Sequence, residues 1–501
     1  ALEDKKGCEH CLIILEPMAS RAPAVRLALA LDHASAGDRK GAARHLDLFF
    51  SRTHERLHES RPDLLRDSGF VGFLIFHLLR GHVDEVLDYM ERSQDLELAH
   101  PVVDLELFKV RHVASAVRQY RECPIAWKSE KRLLVSVLVW GEEFSDIWLK
   151  YGLSSLLSEE NKRLWDSRET VFQFVSTPET LNYLRRQPMF AKLEALYRIS
   201  LIDITPVLTA GISHTNYIAM LIAQWVPMCI GATENADCIS LGADSFFSKA
   251  AFSYIAQRLE EDKTDVFYTL DYPISASAVP EIESWRGSDG VLDIPEHELG
   301  QFFLENMSSR VEPYCIDPAD STMPSDPSRV YSRLQHGVLM RSLQPQLIYV
   351  CSNMLKNLWV PRLSATDNGF ADAALAVLGD FERMEMLVQP DLFGCSVIEG
   401  AEEDRIASGQ IPSRVPVKET IANDLLNLIR GAGLLSPARV WSFRQPMLVL
   451  GDGEVTSAGT LLIDQLAAQL PDQGRYGPPD MMAEHGGQAF ERFRRSGDVP
   501  K

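Results

Sequence analysis

The sequence predicts an α/β protein: a mainly parallel, three-layer sheet domain, preceded by an all-helical region and followed by a helical tail. Three observations carry this. The branched apolar run Leu133–Val139 stops at Trp140 and Gly141, as a strand covered on both faces would. From Lys131 to Leu270, strand-like and helix-like segments alternate, and crossovers of that length make successive strands parallel. Residues 1–122 carry helical spacing and no strand-like run.

In the helical region, Leu27–Leu46 forms two segments around Gly37, and Phe73–Met90 echoes them around Gly81. The pattern resembles tetratricopeptide-type hairpins, which implies a docking groove; a plain helical cap is the competing reading. Cys123 and Pro124 end the region. After the first strand, Phe144, Ile147, Trp148 and Tyr151 have helical spacing through Leu157. A second strand, Thr170–Val175, ends at Ser176 and Thr177, and Thr177 before Pro178 is an N-cap pattern. A helix over Phe190–Arg198 leads to a third strand, Ile199–Ile204. A buried helix over Tyr217–Ile230 leads to a fourth, Asp237–Leu241, which exits through Gly242, Ala243, Asp244 and Ser245. Phe246–Glu261 is expected to be helical and Asp265–Leu270 a fifth strand. Beyond them come a helix over Pro295–Glu312, a loop over Pro313–Arg329, and short strands at Gly337–Met340 and Gln346–Val350. Helices over Asp424–Leu435 and Thr460–Leu470 precede a tail of little periodicity. The expected division is a helical region at 1–122, a sheet domain at 131–445 and a tail at 446–501.

Composition narrows the function. A net charge of −20 and a pI of about 5.1 disfavour nucleic acid and anionic lipid as partners. No apolar run is long enough for a transmembrane segment. Eight scattered cysteines and a polar start without a signal peptide point to reduced thiols in a cytoplasm. Cys8, His10 and Cys11 are half of a zinc pattern that no second pair completes. His54-Glu55-Arg56-Leu57-His58 matches HExxH, with an exposed charged helix as the competing reading and no third ligand following. Phosphate-loop, nucleophile-elbow and dinucleotide-fingerprint patterns are absent.

In parallel sheets, ligands sit beyond the carboxyl ends of the strands. Here those ends are Trp140–Gly141, Ser176–Thr177, Asp203–Thr205 and Gly242–Ser245. The order of elements resembles that of nucleotide-sugar glycosyltransferases of the type A (GT-A) fold. The Trp140–Gly141 exit, Ser154–Leu157 with Asn161, Ser176–Thr177, Arg341–Val350 and the Thr366–Asp367 turn are similar to bacterial glycosyltransferase-like proteins. The likeness spans Lys131 to Leu392.

The resemblance implies a nucleotide-sugar donor held near Trp140, Gly141, Ser176, Thr177 and Asp203. It implies a divalent cation, Mn or Mg, that offsets the diphosphate leaving group from carboxylates at the fourth strand's exit. Asp244 stands there, but Gly242 occupies the place of the first Asp of an Asp-x-Asp pair. Asp244 would then work with His336 or Asp367, or without a metal, or in an inactive protein. Asp367 or His336 is the candidate base for an inverting transfer. His214 and Asn216 are further candidates for the same face. The helical region would present a protein or polysaccharide acceptor. The rival reading is a catalytically inactive, transferase-like interaction protein; an unrelated α/β nucleotide-binding protein is a third.

Overall fold

In the computed structural model the described residues are 69–94, 101–211, 215–316, 322–324, 328–334, 337–358, 360, 363, 366, 370–390, 392–399, 414–416 and 437–449. Strand β1 (Arg132–Leu138) pairs in parallel with β2 (Glu169–Ser176) on one side and β4 (Ala236–Gly242) on the other. Beyond β2 lies β3 (Arg198–Asp203), also parallel. On the far side β12 (Gln346–Val350) runs antiparallel between β4 and β6 (Val266–Thr269), and β13 (Met384–Leu387) closes the sheet parallel to β6. The sheet therefore has seven strands in the order β13-β6-β12-β4-β1-β2-β3.

The continuous apolar runs have a simple cause: both faces of the sheet are covered. Leu134, Leu138, Val171 and Val175 belong to one core cluster, Leu133, Val135, Phe172 and Phe174 to the other. Each fully buried side chain of this kind contributes about 1.5–3 kcal/mol of transfer free energy. The first face packs under the helices that precede the sheet, α1 (Gly69–Leu79), α2 (Val83–Gln94) and α3 (Pro101–Glu122). The second is covered by helices that follow β1. After α4 (Glu142–Ile147), these are α5 (Glu159–Asp166), α6 (Pro178–Arg185) and α7 (Pro188–Leu196). After β3 the short α8 (Thr205–Leu208) leads into α9 (Thr215–Glu234), which returns to the first face. Then α10 (Ala251–Glu260) packs on the second.

The Gly81 turn expected from the sequence joins α1 to α2, with φ +82°, a value that glycine adopts without strain. Val110, Val113, Ala114 and Val117 of α3 share one core with Leu134 and the α9 residues Ile222 and Val226. Gly231 of α9 lies so close to β4 that an added Cβ would overlap the Cys238 sulfur. The Gly37 hairpin, Cys8 to Cys11, His54 to His58 and the expected helices over 424–435 and 460–470 lie outside the described residues.

Several expectations are corrected. The helix after β1 is interrupted: Trp148–Leu153 is a π-helical turn between α4 and a short turn at Ser154–Leu156. Its Gly152 faces the backbone of Ser245 with no room for a side chain, since a Cβ would stand 2.9 Å from that carbonyl oxygen. Residues 245–247 are not the start of a helix but β5 (Ser245–Phe247). It joins β14 (Cys395–Glu399) and β7 (Tyr272–Ser275) in a three-stranded sheet. Sequence spacing misread Phe246 and Phe247 as helical because both are buried whichever element holds them. The expected loop from 313 includes β8 (Cys315–Ile316) and β9 (Thr322–Pro324). A four-stranded sheet joins β8 to β10 (Arg329–Leu334), β11 (Gly337–Ser342) and β16 (Met447–Val449). Strand β15 (Arg414–Pro416) pairs with β9.

Candidate functional site

From β1 the chain moves to β2 and β3 on one side, then returns to β4 on β1's other side. The segments leaving β1 and β4 pass over the same face and pack on each other, Gly152 against Ser245 and the Asn161 side chain against Ser248 and Phe252, while the strand order reverses at β1. That reversal is where open parallel sheets form a ligand crevice. Trp140 is half-buried there, and Gly141 is exposed with φ +81° and ψ 157°, a region open to glycine alone. The Gly141 N–H donates to Thr180 Oγ1 at 3.2 Å, and the Gly141 carbonyl accepts from the Ser145 hydroxyl at 2.6 Å. These bonds tie the β1 exit to α4 and α6.

The next exit divides into a capping residue and a buried one. Thr177 Oγ1 accepts the Thr180 N–H at 3.1 Å, so it caps α6, and Pro178 follows at the first helical position. Ser176 is fully buried, and among the described residues its hydroxyl has no hydrogen-bond partner. In register beside Ser176 stands Asp203 at the end of β3. Its Oδ1 accepts the Thr205 N–H at 2.8 Å. Asp203 lines a pocket under α3 and α9, on the far strand from Asp244.

At the β4 exit, Asp244 is half-buried and its carbonyl accepts the Ile398 N–H at 3.0 Å. A Cβ added to Gly242 would stand 2.7 Å from Asp244 Oδ1. An aspartate at 242 would therefore displace the carboxylate it was meant to assist. Another acidic residue follows a parallel strand at the same edge of the sheet. Asp271 leaves β6 and leads into β7 just as Asp244 leaves β4 and leads into β5. Arg329 Nη1 is 3.7 Å from Asp271 Oδ1. Burial, then the negative charges of Asp271 and Asp244, push the Cys395 thiol well above its ordinary range. This places an unreactive thiol within the field of both carboxylates.

The expected residues Trp140, Gly141, Ser176, Thr177, Asp203 and Asp244 all leave their strands at one edge. Asp271 and Arg329 were missed. The signal for Asp271 was a carboxylate following the apolar strand Val266–Leu270; Arg329 carried none, because its pairing joins distant segments. His336, Asp367 and His214 lie outside the described residues, and Asn216 is exposed on the first turn of α9. Among the described residues, no three His, Cys, Asp or Glu side chains are grouped to hold a metal ion. Asp244 alone is not a cation cage. Among them, too, no helix is long and apolar enough to cross a membrane. No protein-family model matches the chain, and no curated protein matches it.

Proposed function

We propose that this protein is a glycosyltransferase-like enzyme that takes a sugar from a nucleotide-diphosphate sugar. The observation that carries the reading is the strand-order reversal at β1 and β4, with Gly141 and Asp244 leaving the sheet at the same edge. The bare, exposed Gly141 backbone allows a donor to approach closely. In the transfer, the bond from the anomeric carbon to the diphosphate oxygen breaks and its electron pair leaves on the diphosphate. An acceptor oxygen forms the new bond and gives its proton to a base, for which Asp367 and His336 are the candidates. Asp244 orients the sugar or holds a Mn or Mg ion; the described residues supply too few oxygens for such an ion, so no step is routed through one. The acceptor is a protein or polysaccharide met on the helical side.

Gly242 favours a second reading, an inactive transferase-like protein whose helices bind a partner, because the first acidic residue of the metal motif is missing. Calorimetric titration with UDP, GDP, CDP and TDP, each with and without Mn, separates the two. The enzyme reading expects one nucleotide to bind and Asp244→Ala to weaken it about tenfold or more. A folded protein that binds none of the four would leave the interaction protein standing.

A further inference from the structure

The pocket at the carboxyl ends of β2 and β3 lies against the first face of the sheet, under α3 and α9. Its free volume is about 80 Å³. That is the size of a fragment, beside the ~300–1,000 Å³ of pockets that enclose drug-sized ligands. The floor is apolar: Val175, Ile202 and Val226 line it and are buried. The mouth is polar. Helix α3 presents His112, Ser115 and Gln119, whose spacings of three and four place them on one helical face. Against them stands Asp203, and with one oxygen held by the Thr205 N–H its carboxylate is fixed in orientation.

Asp203 is the one acidic or basic residue among those lining the pocket apart from His112, and it forms no ion pair with a described residue. Burial, then the neighbouring charge of Arg111, hold His112 below the ordinary histidine value of 6.5. Near pH 7 its ring is therefore neutral, available as a hydrogen-bond acceptor and unable to neutralise Asp203. Arg111 itself is exposed and does not line the pocket. A carboxylate over an apolar floor, with neutral acceptors around it, is complementary to one chemical class.

We propose that this pocket binds a small organic cation, an ammonium group on a short branched apolar body, with Asp203 as its charge partner. The body lies on Val175, Ile202 and Val226, and the head donates to Asp203, Ser115 and His112. Because the walls come from α3 and from the sheet, the occupant bridges the two layers and stabilises the folded state by mass action.

The test uses the full chain at pH 7 and ligand-observed NMR, with isobutylammonium as the probe and isobutanol as its uncharged counterpart. Isobutylammonium should bind about tenfold more tightly than isobutanol, and Asp203→Asn should remove that difference. Ala116→Phe, which fills the pocket from α3 and leaves the carboxylate in place, should abolish binding of both. Equal affinity for the two probes, unchanged cation binding in Asp203→Asn, or no cation binding by the folded wild type would each overturn the proposal. Should Asp203→Asn lose its fold, the wild-type preference together with Ala116→Phe decides. None of these measurements reads nucleotide binding, so failure here is distinguishable from failure of the transferase reading.

Discussion

At the amino edge of the central sheet the carboxylates are saturated with partners, whereas the carboxyl edge holds polar groups with few or none. At the start of β2, Glu169 accepts the Lys128 and Ser129 N–H groups at 2.6 Å each and pairs with Arg198. Burial opposes its ionisation, yet those N–H groups and Arg198 hold its carboxyl below the ordinary range. At the start of β4, Asp237 accepts from Arg168, from the Tyr349 hydroxyl at 2.6 Å and from the Ser352 N–H at 2.9 Å. Arg383 grips Asp265 before β6, and Tyr254, Arg258 and Thr264 converge on Glu385 in β13. Across the same sheet, the buried Ser176 hydroxyl has no partner among the described residues, Gly141 occupies a conformation other residues avoid, and Asp203 forms no ion pair with a described residue. The comparison teaches where stability and chemistry are divided. Polar groups that complete one another within the chain hold the strands, and groups left open are those a ligand can complete.

The largest effect should come from breaking the saturated edge. Asp237→Ala strands the partly buried Arg168 charge and the Tyr349 hydroxyl, so urea unfolding should show a loss of about 3 kcal/mol. Nucleotide affinity per folded molecule should be unchanged; a stability loss under about 1 kcal/mol would erase the contrast between the edges. Gly141→Ala should cost less, about 2 kcal/mol, because its φ and ψ lie where only glycine is unstrained. Its distinguishing mark is that nucleotide binding falls too. Ser176→Ala should change stability by no more than about 0.5 kcal/mol, since the hydroxyl forms no bond with a described residue. A larger loss would show that this hydroxyl is engaged, and that the carboxyl edge is less open than its geometry indicates.

Much of this arrangement is visible in the residues themselves. The run Leu133–Val139 announces a doubly covered strand, and the Thr177–Pro178 cap is written locally, because a cap needs only the next three residues. Gly81 marked its turn for the same reason. Phe246 misled because burial alone does not distinguish a helix from a short strand paired to β14, about 150 residues further along the chain. Asp271 went unnoticed because its significance comes from its equivalence to Asp244, which exists only when β5, β14 and β7 are side by side.

The sequence by itself determined the α/β class, the places of the first four parallel strands and the polar character of their exits. Those depend on periodicity, chain connectivity and local hydrogen bonding, all of which act over a few residues. Only the tertiary structure decided that β12 enters antiparallel between β4 and β6, that Gly242 lies against the Asp244 carboxylate, and that Asp203 faces α3 across a pocket. Strand partners and pocket walls come from segments far apart in the chain. Their choice rests on which buried faces fit together, a property that belongs to pairs of elements and to no single stretch of residues.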